Sequence, residues 1–144
     1  MKDFELIEHT ADIGIRVQAD DLKGLFEKAA LAMFNIIGQL APLSLGPTDK
    51  EIPPPRFNIR QTAETPEELF INWLNELLSL SATKELMFTN IIIHKLDKNS
   101  LEVEVFGEDI KIYKINTEIK AATYHELKLE ETESGWIAEV IFDV

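Results

Sequence analysis

Two aspartates from opposite ends of the chain, Asp12 and Asp143, stand where a carboxylate could do chemistry. Near the start, Glu8-His9-Thr10-Ala11-Asp12-Ile13 joins two strand-like runs; at the finish, an apolar strand runs through Phe142-Asp143-Val144 into the final carboxylate. Chain ends usually fray. A strand that keeps its pattern to the last residue instead puts a side-chain carboxylate and the Val144 carboxylate side by side on an ordered element. If the fold brings Asp12 beside them, three carboxylates share one small site. Such a cluster repels itself unless a cation or a proton neutralises it, and hard divalent ions take oxygen ligands of this kind. If the three do converge, Mg²⁺ or Ca²⁺ is the expected cofactor.

Each of these residues also has a plainer role. Asp12 and Thr10 can serve turn chemistry, bonding nearby backbone N–H groups. His9 can ligate a softer metal, orient Asp12 from behind, or sit satisfied at a strand end. Asp143 can simply keep the last strand soluble. Lys120, in Thr117-Glu118-Ile119-Lys120-Ala121-Ala122-Thr123-Tyr124-His125, shares a strand face with Ala122 and Tyr124. It is either a solvated lysine or a cation that offsets the carboxylates or meets a partner. His94 and His125 fall in no pattern that singles them out.

The elements that must position these residues follow from periodicity. Phe4, Leu6 and Glu8 alternate with Glu5 and Ile7, and Ile13, Ile15, Val17 and Ala19 alternate with polar neighbours, giving two short strands in an antiparallel pair. Asp20 or Asp21 caps a helix carrying Leu22, Leu25, Phe26, Ala29, Met33, Ile36 and Ile37, which Gly38 ends. Residues 39–55, with Pro42, Gly46, Pro47 and Pro53-Pro54-Pro55, read as a long loop, and Phe57 and Ile59 as a brief strand. Thr65-Pro66-Glu67-Glu68 starts a second helix with a capping box, and Leu69, Phe70, Trp73, Leu74, Leu77 and Leu78 form its apolar stripe.

The last third reads as strands. Phe88–Leu96 and Leu101–Phe106 flank Asp97-Lys98-Asn99-Ser100, a hairpin signal. Ile110–Tyr113 gives a short strand and Ile119–Leu129 a longer one. Glu133-Ser134-Gly135 turns into a final strand with Trp136, Ala138, Val140 and Phe142 on its apolar face. This order predicts a single α+β domain over residues 1–144, with two helices packed on one face of a mostly antiparallel or mixed sheet.

Composition narrows the function. The 144 residues include 45% apolar types, enough for a sizeable core, but no run long enough to span a membrane. The start does not read as a signal peptide, since no uninterrupted apolar stretch follows Lys2. Cysteine is absent, which removes disulfides, thiolate catalysis and cysteine-held metals and fits a cytoplasmic protein. A formal net charge of −12 disfavours direct nucleic-acid binding and suits a basic partner or a cation. Phosphate loops, His-Glu-x-x-His and Gly-x-Ser-x-Gly do not occur. The residues point to a binding or accessory protein ahead of an enzyme; the catalytic alternative is a metal-dependent phosphohydrolase.

Taken together these motifs resemble the archease family. The resemblance is carried by His9-Thr10-Ala11-Asp12-Ile13, by Phe26 to Phe34 in the first helix, by Leu69 to Leu78 in the second, by Glu118-Ile119-Lys120-Ala121-Ala122-Thr123-Tyr124-His125, and by Gly135-Trp136 through Phe142-Asp143-Val144. It implies a small acidic α+β protein that activates an RtcB-type tRNA-splicing RNA ligase, promoting guanylylation and multiple turnover and broadening nucleotide use. It implies metal ligation at Asp12 and Asp143, with the Val144 carboxylate nearby, and a functional lysine at Lys120. It also implies an alternative role as chaperone of a tRNA cytosine methyltransferase. Family members often carry a histidine before the Glu-Ile-Lys motif; Lys111-Ile112-Tyr113-Lys114-Ile115-Asn116 has none.

Overall fold

Alternating residues build the two strands that carry the aspartates. In the computed structural model, which describes residues 3–8, 12–41 and 53–144, strand β1 (Glu5–Glu8) pairs antiparallel with β2 (Asp12–Ala19). Ile15 and Val17 of β2 are buried, and the residues between them face outward or lie half-buried.

Helix α1 (Leu22–Ile37) follows, capped by Asp21, whose Oδ1 accepts from the Gly24 N–H at 2.8 Å. Gly38 ends it, though in extended backbone rather than a left-handed cap, because the chain passes straight into β3 (Gly38–Leu40). Glycine is required there for space: a Cβ would lie 2.7 Å from the Lys114 carbonyl oxygen on the facing strand. β3 takes Gln39 and Leu40 from the predicted loop. Three residues are too few for alternation to show, so its pairing with β7 (Tyr113–Ile115) is visible only in three dimensions. Residues 42–52 of that loop lie outside the described residues.

β4 (Arg56–Thr62) leads to helix α2 (Pro66–Lys84). Thr65 caps α2 by accepting from the Glu68 N–H at 3.1 Å. The Glu68 carboxylate reaches back to the Glu64 N–H at 3.2 Å, one residue before the cap. All six residues of the predicted apolar stripe are buried.

β5 (Leu86–Leu96) and β6 (Ser100–Asp109) form the expected hairpin. Its turn is held by Asp97, whose Oδ1 accepts from the Asn99 and Ser100 N–H groups at 2.8 Å each. The Asn99 N–H, with the Ser100 hydroxyl that donates to Oδ2 at 3.0 Å, holds the Asp97 carboxyl below the usual carboxylate range. The strand predicted at Ile110–Tyr113 is instead a 3-10 turn over Ile110–Ile112, capped by Asp109, and β7 begins only at Tyr113. β8 (Ala121–Thr132) and β9 (Gly135–Asp143) close the chain around a two-residue turn.

Among the described residues the strands divide into three antiparallel sheets, ordered β1-β2-β9-β8, β4-β6-β5 and β3-β7. α1 packs on β2, β9 and β5, and α2 on β8, β5 and β4, so the helix pair joins the two larger sheets over one hydrophobic core. Trp73 is fully buried and donates its indole N–H to the Phe26 carbonyl at 3.0 Å, tying α2 to α1. The Phe26 and Phe70 rings meet edge to face at 5.2 Å. Among the described residues no helix is long and apolar enough to cross a membrane.

Gly135, at the start of β9, sits at φ +147°, and an added Cβ would collide with the Ala19 carbonyl oxygen. Gly135→Ala is expected to cost about 1–3 kcal/mol from the backbone conformation alone, with a further penalty because the obstacle is main chain. Urea unfolding measures it, as a lower midpoint at unchanged slope.

Candidate metal and partner site at the end of the four-stranded sheet

β9 lies between β2 and β8, and its apolar alternation explains that central place. Trp136, Ala138, Val140 and Phe142 turn one face towards the helices, with the last three fully buried. Asp143 then falls on the opposite, solvent side. The β2–β9 register pairs Asp12 directly with Asp143, and the β8–β9 register pairs Ala121 with the same Asp143. Directly opposed residues of an antiparallel pair share a sheet face, with Cβ atoms about 4.5–5.5 Å apart. Two carboxylates from the two ends of the chain are thus neighbours on the outer face. Asp12 is half-buried and Asp143 exposed.

Lys120 lies just before β8 and donates its backbone N–H to the Asp143 carbonyl at 2.7 Å. The exposed lysine is therefore anchored to the same residue through the main chain. The Val144 side chain packs against the core, which fixes the residue following Asp143. His9 and Thr10, the candidates for supporting Asp12 from behind, lie outside the described residues.

The rest of this face sets the surroundings. Gly14, paired with Ile141, leaves room for that side chain: a Cβ there would stand 2.9 Å from Ile141 Cδ1 and 3.0 Å from Ile7 Cβ. Ile141 is consequently buried although it faces away from the helices. Further along, Arg16 binds one oxygen of Glu139, through Nε at 2.8 Å and Nη2 at 2.6 Å. His94 lies on the other large sheet, 2.6 Å from Glu104, and His125 lies 4.0 Å from Glu126.

Two features were missed by the sequence reading. The strand predicted over Ile119–Leu129 is broken: register shifts between Thr123 and Lys128, so Tyr124 to Leu127 stand opposite Val140 alone, with Glu126 at φ 52°. A bulge of this kind re-aims side chains, and here it leaves Tyr124 56% exposed. The second is Asn75 of α2. Its Oδ1 accepts from the Ala122 N–H at 2.8 Å and its Nδ2 donates to the Ala122 carbonyl at 3.1 Å. The available signal was an amide flanking the apolar stripe, since a half-buried polar side chain must find hydrogen-bond partners.

Among the described residues no group of three or more His, Asp or Glu side chains is placed to hold a metal ion. The described side chains thus offer a pair of carboxylates at Asp12 and Asp143, an oxygen-only donor set. That suits Mg²⁺, which is held by one or two carboxylates and keeps several waters, and suits Ca²⁺ only with further oxygens.

A family model described as "Archease protein family (MTH1598/TM1083)" matches residues 4–144. "Protein archease" of Methanosarcina acetivorans is 36% identical over 149 residues, covering 99% of this chain and 97% of the relative. "Protein archease" of Pyrococcus furiosus is 34% identical over 150 residues, with both chains fully covered. The solution structure of protein 1598 from Methanobacterium thermoautotrophicum superposes with a TM-score of 0.71 at 31% identity, again covering all of both chains. The crystal structure from Thermotoga maritima titled "an archease, possible chaperone" gives a TM-score of 0.63 at 27% identity, over 96% of this chain and 94% of that one.

Proposed function

The chain belongs to the archease family, and from that premise we propose that it is a metal-binding accessory protein that activates an RtcB-type tRNA-splicing RNA ligase. The observation that carries this reading is the pairing of Asp12 with Asp143 at the end of the four-stranded sheet, with Lys120 joined to Asp143. The Asp12 and Asp143 carboxylates, together with the Val144 carboxylate, would be the ligands of a Mg²⁺ or Ca²⁺ ion. When bound, such an ion would add positive charge beside Asp12 and Asp143 and offer a partner's oxygen groups a place to bind. Asp12 and Asp143 hold it on the solvent side of the sheet, where a partner protein can reach it. Lys120 presents a second cation to that partner. The protein promotes guanylylation, multiple turnover and wider nucleotide use by the ligase while carrying out no bond-making step itself.

Multiple-turnover RNA ligation by an RtcB-type enzyme tests this, with the wild-type protein, without it, and with Asp143→Ala. Stimulation by wild type alone supports the reading. Equal stimulation by the variant keeps the partner and removes the metal-site mechanism. The Thermotoga maritima relative, described as a possible chaperone, favours a second reading as a chaperone, for which the family resemblance implies a tRNA cytosine methyltransferase as client. Its mark is suppression of methyltransferase aggregation that persists in chelator.

A further inference from the structure

Among the described residues β8 is an edge strand, with β9 on one side and no strand on the other. An antiparallel edge strand leaves every second residue's N–H and C=O pointing away from its neighbour. At Ala122 both groups are taken by the Asn75 side chain, through bonds of 2.8 and 3.1 Å. A primary amide is the side chain that matches a backbone N–H and C=O together, since it carries one acceptor and one donor side by side. Asn75 itself stands on the α2 turn between Trp73 and Leu77, both fully buried, so its own position is set by the core.

The clamp grips β8 one residue from Ala121, which is paired with Asp143, and two from Lys120, whose N–H binds the Asp143 carbonyl. Just beyond it the ladder fails: after Thr123, whose hydroxyl donates to the Ile141 carbonyl at 2.8 Å, the register shifts. Only a short stretch of regular pairing holds the start of β8 against β9. We propose that Asn75 is a positioning residue for the Asp12–Asp143–Lys120 site, fixing the start of β8 from the helix side so that Lys120 and Asp143 keep their relative place. This rests on the reading of that site given above.

The test compares wild type with Asn75→Ala, which removes both bonds, and Asn75→Asp, which keeps the acceptor for the Ala122 N–H. All are studied where circular dichroism reports full folding. The discriminating readout is amide hydrogen exchange at Lys120, which Asn75 does not touch. Asn75→Ala is expected to speed exchange at Lys120 by about tenfold or more while Val140 in the sheet centre stays protected. Mg²⁺ or Ca²⁺ affinity, read by calorimetry, should fall by about tenfold, the lower end for residues that support metal ligands indirectly. Asn75→Asp should fall between Asn75→Ala and wild type on both readouts, and it carries the test if Asn75→Ala fails to fold. Unchanged Lys120 exchange in the variants overturns the proposal, as does faster exchange with unchanged ion affinity. If wild type itself binds no ion and stimulates no ligase, the site reading fails, and Lys120 exchange alone then decides whether the clamp exists.

Discussion

Asp143→Asn is expected to abolish the thermal stabilisation that Mg²⁺ or Ca²⁺ gives the wild-type protein, and to raise slightly the melting temperature of the metal-free form. Both effects follow from the register that sets Asp12 opposite Asp143. Like charges directly opposed across a strand pair destabilise it by about 0.2–1 kcal/mol, so neutralising one of them helps the metal-free protein. An ion that binds only the folded state stabilises it by about 2.7 kcal/mol when its free concentration is 100 times its Kd. For a chain near this size that corresponds to a shift of about 5–10 °C in Tm. Asp143→Asn leaves a single described carboxylate in the pair, and the shift should vanish. Asp12→Asn should behave alike. The measurement is thermal unfolding in chelator and in a series of ion concentrations. A variant that still responds like wild type would place the ion elsewhere on the molecule.

Trp73→Ala should produce the largest loss of stability, about 3–5 kcal/mol, the range for truncating a buried tryptophan. Trp73 is fully buried between the helices and bonds the Phe26 carbonyl. Alanine removes both the packing and the hydrogen bond. Trp73→Phe keeps most of the packing and should cost about 1–3 kcal/mol, through the lost bond and the smaller ring. Chemical denaturation followed by circular dichroism measures both. Trp73→Phe keeps most of the packing that seats Asn75 on α2, so with this variant the ion affinity of the folded fraction should be unchanged. That separates a stability loss from a site loss.

Much of this protein could be read from local pattern. Both helices appear where 3.6-residue spacing places them, and Asp21, Thr65 and Pro66 mark their starts because capping is a property of adjacent residues. The Asp97 turn and the apolar face of β9 were legible for the same reason. So were Asp12 and Asp143 as candidates, since a polar residue at the end of an apolar strand is conspicuous in one dimension.

The tertiary structure alone decided their meeting. Alternation tells which face of a strand is buried, but carries no information on which strand lies beside it or in what register. Those are set by hydrogen bonding between distant segments. The order β1-β2-β9-β8 puts the last strand between β2 and β8, and only that order brings Asp12, Asp143 and Lys120 together. The pairing of β3 with β7, the break in β8 after Thr123 and the grip of Asn75 on Ala122 belong to the same class. Each depends on a contact between residues far apart in the chain, which periodicity does not encode.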